Sequence, residues 1–191
     1  MQLTLTQLAS ACAARIDRAQ MWLPYIQAAI DAYGIDTPDR CAAFLAQIGH
    51  ESGGLKFASE IWGPTPAQAR YEGRLDLGNC EPGDGSRFRG HGLIQTTGRA
   101  NHAKVRDRLR EKFPDVDVPD FEEEPQLLAD PKWAALSAAD FWDMKGLNGC
   151  ADAGDFFTVS KRINGINRTT GEPNGYEDRV ARWETAKGVL A

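Results

Sequence analysis

The run from Cys41 to Gly54 constrains this chain more than any other stretch. Cys41, Phe44, Leu45 and Ile48 recur at steps of 3, 4 and 7, the spacing of one buried helical face. Glu51 stands three residues past Ile48 and seven past Phe44, so it continues that face. Gly53 and Gly54 follow and stop the helix. A chain with this run must bury a helix whose last turn carries a carboxylate at its apolar side. Burial disfavours the charged form of a carboxyl, and a protonated carboxyl near neutral pH is a general acid. The structural alternative is a glutamate paired with an arginine at a helix end.

The rest reads as mainly helical. Thr4 and Gln7 predict a capping box for a first helix running to about Ile16. Pro24 is expected in the first turn of a second helix, which carries Ile26, Ala29, Ile30 and Tyr33 and stops at Gly34. Thr37-Pro38 opens the helix that delivers Glu51, and Thr97 or Gly98 opens one that ends near Pro114. Further helices are expected from Asp130-Pro131 to Gly146, over about 155–163, and from Asn174 onward. Residues 53–92 are rich in Gly and Pro and lack a period. Gly83, Gly85, Gly90 and Gly92 bracket Arg87, Phe88, Arg89 and His91, as in a loop that lines a ligand cleft.

Composition narrows the function. The 191 residues suit one domain, with no appended wall-binding module in view. A formal net charge of -5 gives no general pull toward nucleic acid or anionic membranes. Within it, residues 70–112 hold ten Lys/Arg against six Asp/Glu, an excess of four positive charges that fits an anionic polymer substrate. No run is long and apolar enough for a membrane span. Cys12 and Cys41 read as small core residues; Cys80 and Cys150 fall in Gly/Asn-rich loops, where a disulfide is open but not implied. No Cys/His cluster has zinc-ligand spacing, and no cofactor is expected.

Four segments, in order, resemble glycoside hydrolase family 19, the chitinase family that also includes phage endolysins. They are Ala42–Gly54, Gly83–His102, Arg162-Ile163-Asn164-Gly165 and Tyr176-Glu177-Asp178-Arg179. Tyr71–Asn79 looks most like the endolysin branch. The resemblance implies a mainly α (α+β), lysozyme-like, two-lobed fold around a glycan-binding cleft. It implies hydrolysis of a β-1,4 bond beside N-acetylglucosamine-type sugars with inversion, which needs two carboxyl groups about 6.5–9.5 Å apart.

By motif position, Glu51 is the general acid. The base is Glu60, nine residues on, or Glu72, 21 residues on. On an unbroken helix nine residues advance about 13.5 Å and point two groups apart, so the break at Gly53-Gly54 is needed to bring Glu60 round. Thr97 matches the hydroxyl residue that holds the attacking water. Gln95, Asn101 and Asn164 match polar residues that bond the sugar, and His50 and Arg89 join them as implied binders. Arg179 matches the arginine beside the acid. Trp62, Tyr71 and Phe88 are candidates to stack on sugar rings, whereas Trp22, Trp133, Trp142 and Trp183 fit core positions. After Gly165 the chain reads Ile166-Asn167-Arg168, a departure from the plant-type pattern and its second Arg/Glu charge network.

The implied protein is a monomeric endolysin. Its partner is the peptidoglycan of a bacterial wall, reached from the infected host's cytoplasm through a holin. A chitinase, a lytic transglycosylase and an inactive glycan-binding protein are the competing readings.

Overall fold

A computed structural model describes residues 1–191. The chain forms ten α-helices: α1 (Leu5–Ala11), α2 (Ile16–Ala32), α3 (Pro38–Glu51), α4 (Pro66–Ala69), α5 (Asp84–Arg87), α6 (Arg99–Lys112), α7 (Pro131–Met144), α8 (Leu147–Asp152), α9 (Phe156–Asn164) and α10 (Tyr176–Leu190). Two 3-10 turns, Leu75–Leu77 and Pro125–Ala129, are added. Extended structure is confined to three isolated bridges, Ser59 with His91, His91 with Thr96, and Ile166 with Pro173. The mainly helical expectation therefore holds. Two compact units divide the chain, one of residues 1–56 and 141–191, the other of residues 57–140.

In the first unit α3 is the central element, with α1, α8, α9 and α10 packed on it. Its apolar stripe is present, but every residue from Cys41 to Gly49 is buried, so the helix is enclosed on all sides. Phe44, Leu45 and Ile48 are at most 1% exposed, and burial of each contributes roughly 1.5–3 kcal/mol. Thr37 caps the helix by accepting from the Arg40 amide, with Pro38 in the first turn. At the other end the Ser52 hydroxyl donates to the Ile48 carbonyl and accepts from the Leu55 amide. Gly54, at φ +72, completes the turn, and a Cβ there would lie 2.6 Å from the Ala13 carbonyl oxygen. The chain can pass here only as glycine.

Three expected boundaries fail. The first helix stops at Ala11, and the second starts at Ile16 with Pro24 in its interior. An interior proline costs about 3 kcal/mol, but Trp22, Ile26, Ala29 and Ile30 around it are at most 3% exposed, and their burial outweighs that cost. Residues 147–152, read as loop, form α8, which places Cys150 on a helix. All four cysteines are free thiols. Burial pushes Cys12 up to about 12 and Cys41 up to about 11, as core residues.

The second unit is held by side chains bonded to loop backbone. Buried Asn79 donates to the Tyr71 carbonyl and accepts from the Arg99 amide. Asp84 takes a two-pronged ion pair from Arg99 and accepts from the amides of Cys80 and Glu81. That hydrogen bonding, with Arg99 first, holds its carboxyl below the ordinary value. The stretch 53–92 is thus less irregular than its composition suggests, because short helical turns and polar side chains satisfy its backbone.

Candidate active site

Glu51 closes α3 on a buried polar network within the first unit. Arg179 of α10, with no solvent exposure, donates to the Glu51 carboxylate and, through its other terminal nitrogen, to Gln47 Oε1. Gln47 lies four residues before Glu51, on the same face of α3. Its amide donates to Ser160 Oγ of α9 at 2.8 Å, and Ser160 donates to the Phe156 carbonyl at 2.9 Å. Arg179 Nε donates to the Asn174 carbonyl at 2.9 Å. Asn174 Nδ2 in turn donates to the Asn164 carbonyl at 2.7 Å, and Asn164 Nδ2 reaches Glu51 Oε1 at 3.5 Å. Burying a guanidinium costs several kcal/mol unless it is paired and hydrogen-bonded; here Glu51 pairs it and each of its three nitrogens donates one hydrogen bond. The sequence placed Glu51, Asn164 and Arg179. It missed Gln47, Ser160 and Asn174, although a glutamine inside an apolar helical run was a signal that something buried needs it.

His50, implied as a sugar binder, faces another way. Its Nδ1 bonds Asp178 Oδ2 at 2.6 Å, and its ring lies against Gly175, where a Cβ would come within 2.5 Å of it. Arg182 donates to the same Asp178 oxygen and to the Cys12 carbonyl. Burial opposes ionisation of Asp178, yet Arg182 and His50 hold it below its ordinary value.

In the second unit Glu60 lies on an extended segment alongside Gly90. Its amide donates to the Gly90 carbonyl at 2.7 Å, and its Oε2 accepts from the Gly90 amide at 3.0 Å. Its Oε1 accepts from Gln68 Nε2 at 3.0 Å, and a side-chain hydrogen bond links it to Tyr71. Burial first, then the charge of Glu60, raises the Tyr71 phenol, which stays protonated. The same bridge patch carries His91 and Thr96 and leads into Thr97. The Thr97 hydroxyl donates to the Gln95 carbonyl, Asn101 Nδ2 donates to the Thr97 carbonyl, and Gln95 Nε2 donates to the Gly92 carbonyl. Gln95 sits at φ 56, a left-handed conformation rare for a side-chain-bearing residue, and a Cβ on Gly90 would meet its Oε1 at 2.6 Å. Glu60, Gln95, Thr97 and Asn101 thus form one connected patch.

Glu72 is used differently. Its two oxygens accept from the amides of Gly83 and Gly85, at 2.6 and 2.8 Å, and fasten the turn that starts α5. Arg89 donates to the Ser86 carbonyl.

Two expectations are corrected. Phe88 has no exposure and cannot stack on a sugar; it is a core residue with His102 edge-on at 5.3 Å and the Arg99 guanidinium over its ring. Trp62 and Tyr71 remain partly exposed, their ring centroids 6.2 Å apart. The basic excess of residues 70–112 is largely consumed internally: Arg74 pairs with Asp76, Arg99 with Asp84, Arg106 with Asp107, Asp120 and Glu122, and Arg108 with Asp140. It therefore gives little support to an anionic substrate.

His91 and His102 form a buried pair, 1% and 0% exposed, with Nδ1 of the first 3.0 Å from Nε2 of the second. His102 Nδ1 faces the Gly98 carbonyl, which only accepts, so that nitrogen carries the proton and Nε2 is an acceptor. His91 Nδ1 must then donate, which leaves its Nε2 a buried lone pair with no partner. Burial lowers His91 to about 3 and His102 to about 4. No group of three or more His, Cys, Asp or Glu side chains is placed to hold a metal, and no helix is long and apolar enough to cross a membrane.

The fold and these residues define a mainly helical protein of lysozyme-like type. No family model matches the chain. A glycosyl hydrolase family 19 domain-containing protein from Haemophilus influenzae (strain ATCC 51907 / DSM 11121 / KW20 / Rd) is 33% identical to it over 120 residues. That match covers 49% of this chain and 60% of the relative, so the chain spans less than two thirds of that protein. Among solved structures, chitinase C from Streptomyces griseus HUT6037 superposes with a TM-score of 0.72 at 19% identity, covering 98% of this chain and 76% of the chitinase. A bacterial family 19 chitinase superposes with a TM-score of 0.75 at 20% identity, covering 100% of this chain and 96% of that one. Sequence similarity over part of the chain and fold similarity over its length point the same way: the chain is similar to a family 19 glycosyl hydrolase domain protein and shares the fold of family 19 chitinases.

Proposed function

We propose that the chain is an inverting glycoside hydrolase acting on β-1,4 bonds beside N-acetylated sugars, with Glu51 as acid and Glu60 as base. The observation that carries this reading is the buried Arg179–Gln47–Ser160 network under Glu51. Arg179 has no exposure and is itself held by Gln47 and the Asn174 carbonyl, so its charge is fixed in place beside the Glu51 carboxyl. In this reading Glu51 protonates the leaving oxygen, and Arg179 stabilises the carboxylate that remains. Inversion calls for a second carboxyl about 6.5–9.5 Å away, with a water between. Glu60 takes that part because it belongs to the patch containing Thr97 and Gln95, whereas Glu72 is spent on the amides of Gly83 and Gly85. Thr97 has its hydroxyl hydrogen committed to a carbonyl, so toward a water it offers lone pairs.

The substrate proposed is peptidoglycan, cut by an endolysin that reaches the wall from the infected cell; the likeness of Tyr71–Asn79 to the endolysin branch supports it. Chitin oligomers are the second reading, favoured because the structural neighbours are named chitinases. Mass spectrometry of products from purified sacculi and from chitin oligomers tests both. Reducing muramic ends support the endolysin, GlcNAc oligomers support the chitinase, and anhydro-muramic ends would replace hydrolysis with transglycosylation. Glu51→Gln is expected to lose roughly 10²–10⁴-fold in rate while folding normally; full activity in that variant ends the assignment.

A further inference from the structure

We infer that Gln68 is a positioning residue for the base. The inference rests on the reading of Glu60 just given. Gln68 is 7% exposed and has all four positions of its side-chain amide in use. Its Oε1 accepts from the amides of Gly63 and Thr65, at 3.3 and 2.8 Å; its Nε2 donates to Glu60 Oε1 and to the Ile61 carbonyl, at 3.0 and 2.8 Å. The orientation of this amide is fixed by its partners. Backbone N–H groups can only donate, so the oxygen must face Gly63 and Thr65, and the nitrogen has no choice but to face Glu60.

Half of this arrangement has an ordinary structural purpose. Thr65 and Gln68 form a capping box on α4, in which the Gln68 oxygen serves the Thr65 amide. Glutamate fills that place in a capping box equally well. The nitrogen arm is what capping leaves unexplained, and only glutamine supplies it here. With Gln68 on one oxygen and the Gly90 amide on the other, the carboxylate plane of Glu60 is set from both sides. The Tyr71 hydroxyl takes a third lone pair of the carboxylate, and the fourth is left for a water. A base must be held to within a fraction of an ångström of its proton donor, and a displacement of about 1 Å costs about 10²-fold.

The deciding variant is Gln68→Glu, which keeps the cap and replaces the donor with a second carboxylate facing Glu60. At neutral pH kcat should fall roughly 10- to 100-fold with KM within about threefold, on whichever of chitin oligomers and sacculi the parent turns over. The deficit should shrink in more acidic buffer, where one of the two carboxyls carries a proton and again donates to the other. Thr65→Ala, which weakens the cap and leaves Glu60 alone, should lower the melting temperature and keep kcat. A Gln68→Glu enzyme with the parent's kcat and pH profile overturns the inference, as does a Thr65→Ala enzyme that loses kcat as severely. Glu60→Gln separates the two claims. If it keeps parental activity, the base assignment falls; if it is inactive while Gln68→Glu is not, only the role of Gln68 falls.

Discussion

Glu51 and Glu60 are both held by hydrogen-bond donors, but the two regions that hold them are built on opposite plans. Around Glu51 the partners are side chains from α3, α9 and α10: Gln47, Ser160 and Arg179, 113 to 132 residues apart across the contacts. Around Glu60 the partners lie 8 to 30 residues away, and much of the bonding is to loop backbone, at Gly90 and through Gln68 at Ile61, Gly63 and Thr65. The first plan makes Glu51 part of the core, so the network and the fold stand or fall together. The second hangs Glu60 on a loop whose backbone needs are met by nearby groups, so it can be altered with less damage to the fold.

The sharpest way to break this contrast is Arg179→Met. It strips a buried charge from Glu51 and leaves Gln47 short of a partner, and about 3–5 kcal/mol should be lost in denaturant unfolding. A loss under 1 kcal/mol would show that the network around Glu51 is not part of the core. Next comes pH. His91 and His102 are held neutral, at about 3 and about 4, against an ordinary value of 6.5. Below pH 6.5 the unfolded chain therefore binds more protons than the folded one, and stability falls as pH drops from 6.5 toward 4. The loss should be on the order of a few kcal/mol and should loosen residues 57–140 first. The depressed carboxylates give way only below 3.8, whether in that unit, as Asp84 and Asp120 do, or in the other, as Asp152, Asp155 and Asp178 do. Hydrogen exchange at pH 5 that opens residues 1–56 ahead of residues 57–140 would contradict this. The smallest effect is Glu72→Gln. One of the amides of Gly83 and Gly85 then faces a donor, and about 1–2 kcal/mol should be lost. Hydrolysis should stay within about threefold, set beside a loss of orders of magnitude in Glu60→Gln; the reverse pattern would make Glu72 the base.

Much of this was legible before any coordinates. The period of the α3 run marks it as buried, and motif position singles out Glu51, Arg179 and Asn164, which the fold brings together. Pro24 misled because local propensity marks it as a helix start, while four buried side chains around it decide otherwise. Phe88 misled because it lies among glycines and arginines, and a loop residue's burial depends on what packs over it. The basic stretch misled because its acidic partners Asp120, Glu122 and Asp140 lie outside the window counted. Gln68 went unnoticed, although Thr65-Pro66-Ala67-Gln68 carries the capping-box pattern.

What the sequence determined alone is what short-range physics encodes: helical period, caps, glycine turns, and the order of motifs that carries the family resemblance. What tertiary structure decided is which polar groups share a buried space: Arg179 with Gln47, Gln68 with Glu60, His91 with His102. Those pairings follow from desolvation, which forces each buried donor to find an acceptor wherever the fold brings one, and no local pattern in the chain records that meeting.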